Sequence, residues 1–158
     1  MIFDIGLYQL NIDVERTDHY YREQTEILCD CDGCQNYGKA AATLPEPVLR
    51  FLRQFGIDPA KPAEVYVNYA PSQDTVFYEG FYYICGTILK GTEPWVRVDD
   101  KQHQFDEPYR IHLGDGFSVY MMEPQWGILD KDFPTPVIQM EISFILPWLL
   151  DKPNSYLR

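Results

Sequence analysis

From residue 60 onward the chain runs in short stretches whose apolar side chains recur at every second position, and that period limits the fold more than any other feature. Ile138, Met140, Ile142, Phe144 and Leu146 alternate with Gln139, Glu141 and Ser143, up to Pro147. Proline cannot donate to a strand ladder, so the strand should end there. Tyr109, Ile111 and Leu113 alternate up to Gly114-Asp115-Gly116, and Phe117, Val119 and Met121 alternate after it. An Asp-Gly pair between two alternating runs predicts a hairpin. Val65, Val67 and Tyr69 form a further strand, followed by turn chemistry at Pro71-Ser72-Gln73-Asp74. Residues 75–89 are rich in aromatic and β-branched side chains and predict one long strand or two. Gly80 and Gly86 within them mark bulges or close approach of another backbone. A short strand is expected at 95–98, and a proline-rich loop at 123–136.

The first sixty residues read differently. Tyr8, Leu10, Ile12 and Val14 alternate as a half-buried strand, and Thr17 is placed to cap one or two helical turns. Pro47 suits a first helical turn; Val48, Leu49, Phe51, Leu52 and Phe55 form an apolar face; Gly56 and Pro59 stop the helix. No repeat or linker divides the chain, so one domain over residues 1–158 is expected. Hairpin-joined strands with many inward faces predict a β-rich α+β fold: an antiparallel β-sandwich with one or two short helices near the cysteine loop. The tail after Asp151 should fray.

Charge narrows the function. The net charge is -11, with 24 acidic and 13 basic residues. Nucleic acids and anionic membrane surfaces are read by Lys and Arg, so neither is an expected partner, whereas a basic protein partner is permitted. No run of apolar residues is long enough for a transmembrane helix, and the N-terminus lacks the basic segment of a signal peptide. A cytoplasmic location follows as the expectation. Cysteines there are usually reduced thiols or metal ligands.

Cys29, Cys31 and Cys34 put three thiols within six residues. Cys29 and Cys31 are too close for an unstrained disulfide. Cys31 and Cys34 have the C-x-x-C spacing shared by zinc sites and redox pairs. Structural zinc takes four ligands. Cys85 is the remaining cysteine, which makes Cys29, Cys31, Cys34 and Cys85 the expected metal set. Cys85 also reads as core in its apolar strand, and His19 is the histidine nearest the cluster. Three readings stay open: a zinc site, a reduced structural cluster and a thiol-redox pair.

The stretch Asn11-Ile12-Asp13-Val14-Glu15-Arg16-Thr17, then Tyr20-Tyr21, then Cys29-x-Cys31-x-x-Cys34-x-Asn36-Tyr37, resembles a family of small bacterial proteins with a C-x-C-x-x-C-x-N-aromatic signature. Tyr78-Glu79-Gly80-Phe81-Tyr82 is also similar to that family. The resemblance covers about the first half of the chain. It implies that the cysteines belong to one shared pattern, and implies no chemistry. The family carries Arg before the Asn where this chain has Gln35, so any role of that Arg does not transfer.

Other signals are bland. His103 to Glu107 with His112 invites a metal reading, but His112 is out of phase with Ile111 and Leu113. Asp99-Asp100 and Asp130-Lys131-Asp132 read as solvated turns. Tyr66, Tyr78, Tyr82 and Tyr120 could share one outward sheet face, registers permitting. The functional expectation is a non-enzymatic protein-binding domain with a structural zinc at the cysteine loop. The alternative is an enzyme, either thiol-redox through Cys31 and Cys34 or acting on a small substrate in an aromatic-lined pocket.

Overall fold

The computed structural model describes residues 1–24, 29–91, 94–125 and 132–158. In chain order its elements are β1 (Ile2–Ile5), β2 (Tyr8–Ile12), α1 (Val14–Glu23), α2 (Asp32–Ala40), α3 (Glu46–Arg53), β3 (Glu64–Ser72), β4 (Thr75–Lys90), β5 (Trp95–Arg97), β6 (His103–Phe105), β7 (Ile111–Gly114), β8 (Phe117–Met122) and β9 (Val137–Pro147). Short 3-10 turns lie at Ala41–Thr43 and Glu107–Tyr109. The class is β-rich α+β, built on a seven-stranded antiparallel sheet. Helices α2 and α3 cover one face of this sheet. A two-stranded ribbon of β5 and β6 stands apart from the main sheet. Among the described residues, no helix is long and apolar enough to cross a membrane.

β4, sixteen residues long, is the axis of the sheet. Along one edge it pairs with β9, from Thr75↔Pro147 to Cys85↔Val137. Along the other it pairs with β3 over its first half and β2 over its last residues. Gly80 and Gly86 permit this. A Cβ on Gly80 would lie 2.1 Å from the Glu64 carbonyl oxygen, and one on Gly86 would lie 2.4 Å from that of Asn11. Both glycines therefore mark close approach of the neighbouring backbone, that of β3 at Gly80 and that of β2 at Gly86.

Among the described residues no strand pairs with the edge of β4 between β3 and β2, and α1 with its cap Asp13 supplies bonds there. The Asp13 amide donates to the Cys85 carbonyl at 2.8 Å. The Cys85 amide donates to Thr17 Oγ1 at 3.0 Å, and the Tyr21 hydroxyl donates to the Tyr83 carbonyl at 2.7 Å. Asp13, Thr17 and Tyr21 recur every four residues and so lie on one stripe. Buried backbone groups need partners, and this stripe provides them in place of a strand. Thr17 is thus not a cap. Asp13 caps α1, its carboxylate accepting from the Arg16 amide at 3.0 Å.

The two sheet faces differ. Val76, Tyr78, Tyr82, Ile84 and Ile88 of β4 point to the helices, in register with Met140, Ile142 and Phe144 of β9. Tyr37 of α2 and Val48, Leu52 and Phe55 around α3 cover them, all fully buried. The alternate residues of the same strands form the other face. There Phe133 packs on Tyr83, and Trp95 and Phe105 pack near Tyr120.

The C-terminal tail is tied down rather than frayed. Asn154 Nδ2 donates to the Thr75 carbonyl at 3.1 Å, and Trp148 Nε1 donates to the Lys152 carbonyl at 2.8 Å.

Candidate cysteine site

Cys31 is the N-cap of α2, with extended backbone angles (φ -68, ψ 157), and its Sγ accepts from the Cys34 amide at 3.4 Å. One helical turn carries Cys34 round to the same side. Gln35 Nε2 donates to the Cys29 carbonyl at 3.0 Å and latches the approaching chain onto the helix. The Cys29 and Cys31 sulfurs are 3.2 Å apart. The three sulfurs all lie within 4.8 Å of one another. Cys29 and Cys31 are exposed and Cys34 is half-buried.

Such a group can hold a metal ion. Among the described residues it is the one group of three or more His, Cys, Asp and Glu side chains that converges so closely. Cys85 is not part of it. It is buried on β4 against Val137, seven residues beyond Tyr78, whose hydroxyl bonds to Gly33 and Asn36 beside the cysteines. At about 3.3 Å per residue that is roughly 23 Å along the strand. The expected fourth cysteine ligand is therefore not supplied. His19, His103 and His112 join no such group. Asp99 and Asp100 close a turn, the former accepting from the Lys101 amide and the latter pairing with Arg97. Asp130 and Lys131 lie outside the described residues.

The electrostatics of the thiols are uneven. The Cys31 amide, and then the Cys31 and Cys34 thiols, hold Cys29 below its ordinary range, with Asp30 opposing. Burial, and then its bonds to the other two sulfurs, push Cys34 well above it. Asp32, at the first turn of α2, adds little free charge. Lys152 Nζ meets its Oδ1 at 3.0 Å and Ser155 Oγ meets its Oδ2 at 2.9 Å, and these bonds lower its pKa.

The rest of the motif anchors the corner. Asn36 is fully buried; its amide nitrogen donates to Tyr78 Oη at 3.1 Å and the Pro147 carbonyl at 3.0 Å. Its oxygen accepts from the Leu149 amide at 2.6 Å. Tyr78 Oη donates to the Gly33 carbonyl at 2.8 Å, and the Gly33 amide donates to Tyr156 Oη at 3.0 Å. The Tyr37 hydroxyl lies 2.6 Å from that of Tyr82, which donates to the Pro59 carbonyl. Spacing alone identified the cysteines. It did not identify Tyr78, Lys152, Ser155 and Tyr156, which lie far away in sequence and meet the cysteine corner only in the fold.

The registers do not put the four tyrosines on one face. Tyr78 and Tyr82 are buried beneath the helices, while Tyr66 and Tyr120 lie on the opposite side. Tyr66 Oη donates to Glu79 Oε2 at 3.0 Å. Burial, then the carboxylates Glu79 and Glu141, push the Tyr66 hydroxyl up to about 12. Comparison with family models, curated proteins and solved structures finds no match.

Proposed function

We propose that this chain is a non-enzymatic binding domain in which Cys29, Cys31 and Cys34 hold one zinc ion as thiolates. The observation that carries the reading is the approach of all three sulfurs to within 4.8 Å at a helix N-terminus. Zinc–sulfur bonds of about 2.3 Å in a tetrahedron place sulfurs about 3.8 Å apart, so small shifts suffice to close the site. Thiolates at a helix N-terminus meet its positive end, and a dication offsets the charge of Asp30 beside them. The fourth position faces solvent, where water or a side chain of a protein partner completes the shell. Free thiols suit a reducing, cytoplasmic compartment. In this reading the metal stiffens the approach to α2 and the protein acts through its surface.

One observation favours a second reading. Cys31 caps the helix and Cys34 follows one turn later, with unequal thiols in the group, as in dithiol redox pairs. Metal analysis of the purified protein, paired with native thiol titration, separates the two. One equivalent of zinc, with the three thiols sluggish until a chelator is added, is expected. Cys34→Ser should lose the metal and Cys85→Ser should keep it. No metal after zinc reconstitution, with the three thiols freely reactive, would sink the zinc reading and leave the redox pair.

A further inference from the structure

The sheet face turned away from the helices carries a set of charges that the cysteine site does not use. Glu64 of β3, Phe81 of β4, Glu141 of β9 and Tyr120 of β8 stand in register as one row across four strands. Tyr66, Glu79, Ser143 and Ser118 form the next row. Neighbouring strands are about 4.8 Å apart, so Glu64 and Glu141 flank Phe81 across roughly 10 Å, with Glu79 two residues along the strand. Among the described residues, none of these three carboxylates has an ion-pair partner. Burial, and then the charges of Glu79 and Glu64, raise the Glu141 pKa, opposed by a bond from Gln139.

The carboxylates do not converge closely enough to chelate a metal ion. Their spread suits a longer, organic cation. Aromatic rings stand among them: Tyr66 is 49% exposed, and Tyr120 is half-buried. The face already holds one guanidinium in this way. Arg110, paired to Glu107, lies 4.6 Å from the Phe105 ring centre and 5.7 Å from that of Tyr120. A cavity of about 410 Å³, lined by Phe77, Glu79, Arg110, His112, Ser118 and Ser143, opens beside the second row. Arg110 and His112 are its basic groups, and Glu107 offsets the first.

We propose that this face docks a basic segment of a partner protein. An arginine or lysine of that segment lies with its stem against Tyr66 and Tyr120 and its head among Glu64, Glu79 and Glu141. Charge complementarity selects the partner: three uncompensated carboxylates framed by aromatic rings attract cations, and the whole chain carries -11. The proposal extends the binding-domain reading above and uses none of the cysteines.

The test titrates the full chain, as purified, with penta-arginine amide, following backbone amide shifts by NMR. Shifts are expected to centre on Glu64, Glu79, Phe81, Tyr120 and Glu141. The double variant Glu79→Gln, Glu141→Gln should weaken binding at least about tenfold. Asp99→Asn, Asp100→Asn removes the same charge from the β5–β6 turn and should change it less than about twofold. Cys34→Ser should keep peptide binding while losing zinc, so failure of the metal site and failure of the docking face are read separately. Equal weakening by the two double variants would reduce the effect to net charge and overturn the proposal. So would shifts scattered over every acidic loop, or a neutral cello-oligosaccharide bound more tightly than the peptide.

Discussion

The two faces of β4 use the same residue type to opposite ends. On the covered face, Tyr78 and Tyr82 have no exposed surface, and each hydroxyl is spent on a fixed partner: Gly33 for one, Pro59 for the other. On the open face, Tyr66 and Tyr120 share their surroundings with carboxylates, and burial pushes Tyr120 up to about 12, with Glu141 adding to it. One side is saturated internally and fixes the shape of the cysteine corner. The other leaves like charges facing one another. Strand alternation lets a single chain segment build both, because successive side chains point to opposite faces of the sheet.

The largest effect should come from the saturated side. Tyr82→Ala is expected to cost roughly 3–5 kcal/mol, since it empties a ring-sized volume and removes the partner of Tyr37. Tyr66→Ala should cost about 1 kcal/mol or less. Urea melts of the two variants test the contrast, and equal losses would break it. Asn36→Ala comes next at about 2–3 kcal/mol, because Tyr78, Pro147 and Leu149 all lose a partner. The same variant should speed modification of Cys34, since Asn36 is one of the residues that tie α2 to the sheet, beside Gly33 and Tyr37. Within the metal-free triad, iodoacetamide should reach Cys29 faster than Cys34 by roughly tenfold or more. The lowered thiol and full exposure of Cys29 favour it, and burial protects Cys34. Peptide mapping after brief labelling decides the order.

How much of this could be read from the sequence follows from the range of each interaction. The hairpin at Asp115-Gly116, the strand ending at Pro147 and the helix stopped by Gly56 depend on residues a few positions apart, and each stands where alternation and turn chemistry put it. β1 escaped because a four-residue strand is short for its period to register. The helix α2 escaped because a thiol caps it in place of Ser, Thr, Asp or Asn, so the cysteines looked like a loop. The bonding of α1 to the edge of β4 was hidden for a related reason. The stripe of Asp13, Thr17 and Tyr21 acts on an edge left open by β2 and β3, and that gap exists only because β4 is longer than either of them. The triad was legible as a motif; the exclusion of Cys85 from it is a matter of distance along a strand.

The smallest effect isolates what the open face gives up. Glu141 titrates above the ordinary 4.5 of a glutamate, because burial and the neighbouring carboxylates disfavour its charge. The folded state therefore holds its proton more tightly than the unfolded chain. Stability from this group is present below about pH 4.5 and is lost as pH rises through the raised folded value, so the ionised carboxylate is a net cost at pH 7. Glu141→Gln removes that titration and keeps an acceptor for Gln139 Nε2, which donates to Glu141 at 2.6 Å. The variant should be more stable than the parent at neutral pH by about 0.5 kcal/mol, with the gap closing toward pH 4, as measured by urea melts across that range. Lower stability at pH 7 would mean that the carboxylate has a stabilising cation, and the open face would lose its distinction from the covered one. Higher stability together with weaker penta-arginine binding would show why the repulsion is retained. A face that binds cations must hold charges that the fold alone would be better without.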